Sequence, residues 1–483
     1  MRMAPAVSCV CMHVTANLIL NTDSYKASHW LQYPPGVDAT FFYLESRGGV
    51  YERTLFFGLQ SILKEYLTRP VTTPMIEEAQ EFFAAHGEPF NAAGWRHIVV
   101  AHGGKLPLRI RAVPEGTLVP THQALMTIES TDPACFWLPS YVETLLMRVW
   151  YPVTVATVSW HVRQTIREYL DKTSDDPAAQ LAFKLHDFGA RGVSSAESAA
   201  LGGMAHLVNF RGSDTILGVL AARAYYGEPM AGYSIPAAEH STITAWGRDR
   251  ELEAYRNMLR QFAKPGSVLA CVSDSYDVFH AVEAMWGGAL RQEVIASGAT
   301  LVVRPDSGDP ADIVHQTLRL LNAAFGSTLN RKGYRVLNHV RVIQGDGVNP
   351  DSIRAILERI THARYSADNI AFGMGGALLQ KMNRDTQKFA LKCSAVRING
   401  IWTDVFKDPV TDHSKASKRG RLTLVRHREH GTFKTVALPH GAIAADALVP
   451  DPAWEDAMTT VWENGTLLRD WTFAEVRARS AQR

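Results

Sequence analysis

The sequence lacks several features that mark specialised classes of protein. Its five cysteines form no CxxC pair and no spacing suited to zinc, and this odd number fits free thiols in a reducing compartment. No run of 18 apolar residues occurs, which argues against a membrane-spanning helix. Lys and Arg number 50 against 48 Asp and Glu, and this balance argues against a nucleic-acid binder. With no clear secretion signal at the N-terminus, we expect a cytoplasmic protein that binds neither membranes nor nucleic acid.

What is present predicts a large globular protein with more than one domain. The chain has 483 residues, of which 46% are hydrophobic and 20% charged, so a large buried core is expected. Fixed-period repeats and long low-complexity tracts are absent. We predict a short N-terminal extension, an α/β-barrel domain, and a discontinuous α+β domain built from both ends of the chain. Their bounds are residues 1–16, residues 151–384, and residues 17–150 with 385–483, respectively.

The central third of the chain repeats one pattern six times: an apolar strand-like run, a polar or glycine-rich loop, and a helical stretch. The strand-and-loop parts read LAFKLHDFGARG, HLVNFRGSD, SVLACVSDSYD, ATLVVRPDSGDP, HVRVIQGDGVNP and NIAFGMGG. This alternation predicts a parallel α/β architecture. An irregular (β/α) barrel is favoured over a doubly wound sheet, because so many successive loops after the strands are polar.

The loop VVRPDSGDP offers a cation and two carboxylates directly after an apolar strand. Arg304 suits a phosphate or a flat ring, since its guanidinium is planar and always charged. Asp306 and Asp309 suit ribose hydroxyls or Mg²⁺. A turn with an aspartate helix cap is the alternative interpretation.

Other loops offer small residues and single polar groups. Gly375 and Gly376 open a helix, whose backbone N–H groups suit a phosphate. Asp214 could accept a hydrogen bond from an amide or cap the following helix. Phe188 could present an aromatic face or lie in the core.

His240 lies at the centre of GYSIPAAEHSTITAWGRD, between a carboxylate and two hydroxyls. Imidazole changes its charge near neutral pH and can also act as a nucleophile. A hydrogen-bonded structural histidine is the alternative at this position.

A set of long motifs gives these loops a common explanation. TDSYKASH, HDFGARGVSSAES, FRGSDT, GYSIPAAEHSTITAWG, VSDSYD, RPDSGDP, VIQGDGV, FGMGGALLQKMNRD and VFKDP follow one another over nearly the whole chain. The set resembles the nicotinamide phosphoribosyltransferases of the type II phosphoribosyltransferase family. The resemblance implies transfer of 5-phosphoribosyl from its 1-diphosphate to nicotinamide, giving nicotinamide mononucleotide in NAD salvage. It also implies Mg²⁺, ATP hydrolysis coupled through a phosphohistidine, and a homodimer with its active sites at the subunit interface.

The resemblance also implies roles for individual residues. His240 would carry the phosphoryl group, and Phe188 with the partner subunit's Tyr25 would enclose the pyridine ring. Asp214 would accept a hydrogen bond from the carboxamide. The remaining implied site residues are Asp274 and Asp306 at the ribose, diphosphate and Mg²⁺; Arg191 and Arg304 near the ring and phosphates; Gly345, Asp346, Gly375 and Gly376 at the ribose phosphate; and Asp23, Arg47, Arg384, Lys392, Lys407 and Lys415 as contacts to anions.

Three alternatives remain at this stage. A nicotinate phosphoribosyltransferase would share the fold, but Asp214 would repel a substrate carboxylate. A non-catalytic nucleotide-binding protein would be favoured by loss of His240, Arg304 or Asp306, all of which are present. A barrel lyase would need a Schiff-base lysine, for which Lys184 is the best candidate. Ala190 stands where many relatives have a bulkier aromatic residue, so the base pocket is expected to be wider here.

Overall fold

The computed structural model describes residues 17–408, 410–411, 417–439 and 451–482. The predicted extension (residues 1–16) and Lys415 lie outside these ranges. The chain divides into two compact units. The antiparallel unit contains the described residues up to Trp150 together with those of Gln387–Trp471. The parallel unit contains Tyr151–Thr386 together with the described residues from Thr472 onward.

A seven-stranded antiparallel sheet forms the core of the antiparallel unit. Val37–Ser46 lies inside the sheet, between Phe389–Ile398 and Ala124–Ser130, and places Tyr43 opposite Lys392 on one side and Thr127 on the other. From edge to edge the strands are Ile401–Asp404, Phe389–Ile398, Val37–Ser46, Ala124–Ser130, Leu108–Ala112, Thr459–Glu463 and Thr466–Leu467. Four of these strands come from the apolar runs ATFFYLE, ALMTIES, LPLRIRAV and KFALKCSAVRING, whose composition is typical of strands.

Helices and two small sheets complete the antiparallel unit. The helical segments are Leu18–Leu20, Ser24–Leu31, Leu59–Ile62, Leu63–Leu67, Thr73–His86, Ala92–His102, Pro133–Cys135, Leu138–Tyr141 and Glu143–Met147. The small sheets pair Arg53–Leu55 with Leu118–Pro120, and Leu422–His427 with both Phe433–Ala437 and Trp454–Asp456. Trp95 is fully buried and packs edge-on against Trp137 and Tyr141, so it fixes the helix Ala92–His102 to this unit.

Six parallel strands form the core of the parallel unit. In spatial order they are Gly212–Ser213, Leu185–Asp187, Ile370–Met374, Val340–Gln344, Thr300–Arg304 and Val268–Val272. Both edges bond one connecting segment: the Ser213 amide donates to the Tyr233 carbonyl (3.0 Å), and the Ala270 amide donates to the Pro236 carbonyl (2.9 Å). This connecting segment joins the two edges of the curved sheet, which thereby forms an irregular barrel. The predicted α/β class with a second domain is confirmed.

A helix follows each strand, as the repeated sequence pattern predicts. The helical segments of this unit are Trp150–Thr173, Pro177–Leu181, Ala190–Gly192, Ala196–Leu207, Ile216–Tyr226, His240–Thr244, Arg248–Arg250, Glu251–Phe262, Val278–His280, Ala281–Ala289, Arg291–Ser297, Pro310–Phe325, Pro350–His362, Ala367–Asn369, Gly376–Leu379, Arg384–Thr386 and Phe473–Ser480. A hairpin, Ser327–Leu329 with Arg335–Leu337, is also present. Local signals explain several starts: Asp309 accepts from two backbone amides ahead of Pro310, and Asn349 forms a capping box ahead of Pro350.

Two boundaries differ from the sequence prediction. The apolar run from Tyr141 to Leu170 predicts a long helix with a kink or break at Pro152. The helices instead separate between Met147 and Trp150, and Pro152 lies in the first turn of Trp150–Thr173, where a missing N–H costs nothing. The last helix, Phe473–Ser480, belongs to the parallel unit, whereas the sequence places residues 385–483 in the discontinuous domain. Its Arg477 guanidinium donates to the carbonyls of Leu207 (2.8 Å) and Ala231 (2.7 Å). Within the described ranges, helices that combine the length and apolar character needed to cross a membrane are absent.

The different burial of two leucines in the parallel unit predicts that their substitution affects the free energy of unfolding differently. Leu301 on the strand Thr300–Arg304 is 1% exposed, so we expect Leu301→Ala to lower the free energy of unfolding by about 2–5 kcal/mol. Leu329 on the hairpin is 66% exposed, and Leu329→Ala serves as the matched control with a change below about 0.5 kcal/mol. Urea unfolding measured by tryptophan fluorescence compares the two. Equal effects would contradict the assigned burial.

Candidate active site

His240 lies between two carboxylates at the carboxyl ends of the strands. It is the first residue of the helix His240–Thr244. Its Nε2 atom is 3.7 Å from Asp274 Oδ1 and 3.6 Å from Asp306 Oδ2, while its Nδ1 is 3.2 Å from Ser275 Oγ. The imidazole side chain is 48% exposed. The ring therefore lies beside two carboxylates, hydrogen-bonds to Ser275 and remains open to a ligand.

Asp306 is held in place by Arg304 through two parallel hydrogen bonds. Arg304 Nε donates to Asp306 Oδ1 (3.0 Å) and Arg304 Nη2 donates to Asp306 Oδ2 (2.8 Å). A bidentate pair of this kind fixes the carboxylate plane as well as its position. The guanidinium carbon of Arg304 lies 5.6 Å from the centre of the Phe188 ring, so one cation contacts both the aromatic face and the carboxylate.

Asp274 has an oxygen without a protein donor. Its side chain is 5% exposed, and its Oδ2 accepts from Ser307 Oγ (2.6 Å). Among the described residues, none donates a hydrogen bond to Oδ1, which is buried and faces His240. A buried, unsatisfied carboxylate oxygen is costly, which suggests a cation or a donor in the working complex.

Phe188 presents its ring on the inner surface of the barrel. It packs against Ala270, Val302 and Ile343 on neighbouring strands. The ring lies directly over Gly373, where a Cβ would be only 1.9 Å from Phe188 Cε2. The ring position therefore requires glycine at residue 373.

Asp214 is exposed and does not cap the following helix, which was one of the two roles that the sequence allowed. The cap position before Ile216–Tyr226 is Thr215. The Asp214 amide donates to the Asp187 carbonyl (2.9 Å), which places Asp214 next to the residue preceding Phe188. Asp214 Oδ1 accepts from Ser234 Oγ. Asp309, by contrast, is the helix cap, so this half of the alternative interpretation holds.

Among the remaining predicted residues of the parallel unit, Gly345 lies against the Arg304–Asp306 pair. A Cβ on Gly345 would lie 2.9 Å from Asp306 Oδ1, so the loop passes close to the carboxylate because it has no side chain there. Gly375 precedes the short helix Gly376–Leu379, and Asp346 is exposed. Arg191 and Arg384 are exposed, the latter 3.3 Å from Asp385.

The other predicted site residues belong to the antiparallel unit. Tyr25 is 55% exposed on Ser24–Leu31, and Asp23 accepts from Thr144 Oγ1 (2.7 Å). The Arg47 Nε donates to Glu45 Oε1 (3.0 Å). Lys392 lies on a central strand and Lys407 is exposed.

Sequence reasoning missed several members of the site. Ser275 hydrogen-bonds to His240, and Ser307 donates a hydrogen bond to Asp274. Ser234 donates to Asp214, and Gly373 leaves space for the Phe188 ring. The first two stand next to Asp274 and Asp306 in the motifs VSDSYD and RPDSGDP, and that adjacency was the available signal. No local pattern marks Gly373, because its role depends on a ring from another strand.

Comparison with known proteins shows the family of this chain. The model of the nicotinate phosphoribosyltransferase (NAPRTase) family matches residues 183–466, and that of the nicotinamide phosphoribosyltransferase N-terminal domain matches residues 17–110. A nicotinamide phosphoribosyltransferase of Xanthomonas campestris pv. campestris is 68% identical over 470 residues, which is 97% of this chain and 99% of the relative. The chain belongs to the nicotinamide phosphoribosyltransferase family. It is thus a transferase of the pentosyl class.

More distant proteins also resemble this chain in sequence or in fold. A nicotinamide phosphoribosyltransferase of Acinetobacter baylyi is 30% identical over 95% of this chain and 96% of its own. The structure of a nicotinate-nucleotide pyrophosphorylase from Pyrococcus furiosus aligns with TM-score 0.60 at 15% identity, covering 99% of this chain and 96% of that chain. Human nicotinic acid phosphoribosyltransferase aligns with TM-score 0.53 at 16% identity, covering 95% and 92%. At these identities the two structures support the fold alone.

The buried carboxyl group of Asp187 predicts a pH-dependent stability. Burial raises the pKa of Asp187 to about 6, although its Oδ1 accepts from the Gly189 amide (2.7 Å). The folded protein then bears the cost of a buried carboxylate above pH 6, while below about pH 4 the group is neutral in both states. We expect the stability of Asp187→Asn relative to wild type to rise with pH by about 2 kcal/mol between pH 4.5 and pH 7.5, with little further change above that range. Urea midpoints from pH 4.5 to 7.5 measure this; a pH-independent difference would contradict it.

Proposed function

We propose that this protein transfers the 5-phosphoribosyl group from 5-phosphoribosyl 1-diphosphate to nicotinamide in NAD salvage, and that His240 couples ATP hydrolysis to the transfer. The observation that carries the proposal is the placement of His240 between Asp274 and Asp306, with Arg304 joining Asp306 to the Phe188 ring. These side chains suit the binding of an aromatic base and a ribose, and the transfer of a phosphoryl group.

The base would bind against Phe188. An aromatic face next to a guanidinium holds a flat pyridine ring and fixes the direction of its nitrogen. The exposed Asp214 carboxylate suits the N–H donors of a carboxamide, and Ser234 orients it through Oδ1. A substrate carboxylate in the same place would be repelled, which favours nicotinamide over nicotinate.

Transfer itself needs no general base. The lone pair of the pyridine nitrogen forms the bond to ribose C1, the bond from C1 to the diphosphate oxygen breaks, and its electron pair leaves with diphosphate. Positive charge grows on the ribose in the transition state, so the carboxylates of Asp274 and Asp306 would stabilise it. The glycines at 345, 375 and 376 would let backbone amides approach the ribose phosphate.

The residues present fit Mg²⁺. Asp274 Oδ1 is buried without a protein donor, and carboxylate oxygens are the hard ligands that Mg²⁺ prefers. Asp274 or Asp306 would hold the ion together with the diphosphate. When bound, the ion offsets the charge of the leaving group.

His240 would act as a phosphate carrier. An imidazole nitrogen attacks the γ-phosphorus of ATP, ADP leaves with the bonding electron pair, and the imidazole proton is released. Later hydrolysis returns histidine and inorganic phosphate. Ser275 and the two carboxylates orient the ring for this attack, and the new negative charge would reorder nearby loops.

The remaining assignments are part of the same proposal. We infer a homodimer in which the partner subunit's Tyr25 covers the pyridine ring from the side opposite Phe188. The phosphates would be contacted by the predicted cations outside the central group, which are Arg47, Arg191, Arg384, Lys392, Lys407 and Lys415. The predicted carboxylates Asp23 and Asp346 would bind ribose hydroxyls or Mg²⁺ beside the phosphates.

The substrate assignment predicts a change in base preference in Asp214→Ser. Losing hydrogen bonds to a charged acceptor should lower kcat/KM for nicotinamide by about 10–100-fold, with nicotinate much less affected. Both bases are assayed in parallel with phosphoribosyl diphosphate, Mg²⁺ and ATP, and both mononucleotides are quantified. Asp171→Ser, a change at an exposed helix position, is the control. An unchanged ratio for the two bases would remove Asp214 from the pocket, and a wild type that uses only nicotinate would overturn the substrate.

The phosphate-carrier role predicts that His240→Ala loses ATP coupling but keeps some base transfer. In the wild type, ATP should stimulate mononucleotide formation, and ³²P from the γ-position should label the protein. His362→Ala, an exposed histidine at the end of Pro350–His362, should retain both properties. Unaltered ATP stimulation in His240→Ala would place the carrier elsewhere.

A further inference from the structure

Two histidines and one aspartate meet in the antiparallel unit, in a group that the proposed reaction does not use. His97 Nε2 is 2.7 Å and His102 Nε2 is 2.6 Å from the same oxygen, Asp132 Oδ2. The three ligand-type atoms all lie within 4.8 Å of one another. Among the described residues, this is the one group of three or more His, Cys, Asp or Glu side chains that meets this distance.

Rigid elements supply all three side chains. His97 and His102 lie on the helix Ala92–His102, which is anchored by the fully buried Trp95 against Trp137 and Tyr141. Asp132 caps the turn Pro133–Cys135, where its Oδ1 accepts from the Ala134 amide (2.8 Å). This second hydrogen bond fixes the carboxylate so that Oδ2 faces the two imidazoles. Ligands held by ordered helices and outer hydrogen bonds are typical of metal sites.

We propose that His97, His102 and Asp132 bind one Zn²⁺ or a similar divalent transition-metal ion. Two imidazoles and one carboxylate are a ligand set for such an ion, whereas Mg²⁺ and Ca²⁺ prefer oxygen ligands alone. The side chains are 39%, 28% and 18% exposed, respectively, so one side of the triad is open for a water molecule as the fourth ligand.

Binding requires a small opening of the triad. Ligand atoms of a tetrahedral zinc site are about 3.3 Å apart, so both imidazoles must move outward by about 0.6–0.7 Å. Both rings lie at the protein surface, where such a rotation is cheap. Each ring must also place its proton on Nδ1, because Nε2 becomes the ligand.

Binding of metal to the chelator-treated, substrate-free protein tests the proposal. Co²⁺ absorption spectra and competition by Zn²⁺ report the geometry and affinity, and Mg²⁺ is kept in excess to occupy oxygen sites. We expect one tight site per chain, with at least about tenfold weaker binding in His97→Ala, His102→Ala and Asp132→Asn. Asn is as good a helix cap as Asp, so Asp132→Asn preserves the turn while weakening the ligand.

The control is His86→Ala, an exposed histidine in the same unit at the end of Thr73–His86. It should bind metal as tightly as wild type. Zinc should also raise the temperature of unfolding in the wild type and in His86→Ala, but not in the triad variants. Absence of a tight site in the wild type would overturn the proposal and leave a hydrogen-bonded His–Asp–His group. Equal binding by the wild type and the triad variants would place the metal elsewhere.

Discussion

The bidentate pair of Arg304 and Asp306 is the interaction on which the site depends. Arg304 ends a buried strand, so its backbone is fixed by the barrel, and its guanidinium contacts both Phe188 and Asp306. Asp306 in turn lies against His240. The Phe188 ring and His240, which we propose as the base-binding face and the phosphate carrier, are therefore coupled through one cation. A lysine at this position would keep the charge but lose the planar, two-bond contact.

Glycine determines how closely the strands and loops can bring this chemistry together. Gly373 allows the Phe188 ring to lie on the neighbouring strand, and Gly345 allows its loop to pass Asp306. Neither glycine has a side chain that could contact substrate. Each acts by leaving space, so substitution there would displace a site residue without removing it.

The two units carry different kinds of chemistry. The parallel unit holds His240, Asp274, Arg304 and Asp306 at strand ends, where the carboxyl ends of parallel strands present loops to a ligand. The antiparallel unit holds the His97–His102–Asp132 triad on a helix and a turn. A metal bound to the triad would stabilise that unit.

The sequence by itself determined the six strand–loop–helix units and singled out most of the loop residues that meet in the candidate site, because apolar periodicity and turn composition are local properties. It also suggested, through its motifs, the family to which the chain belongs. The place of Phe473–Ser480 and the ring space at Gly373 were decided only by the tertiary structure. So was the convergence of His97 and His102 on Asp132. Each depends on a distance through space between residues far apart in the chain, and such distances are set by packing rather than by local sequence.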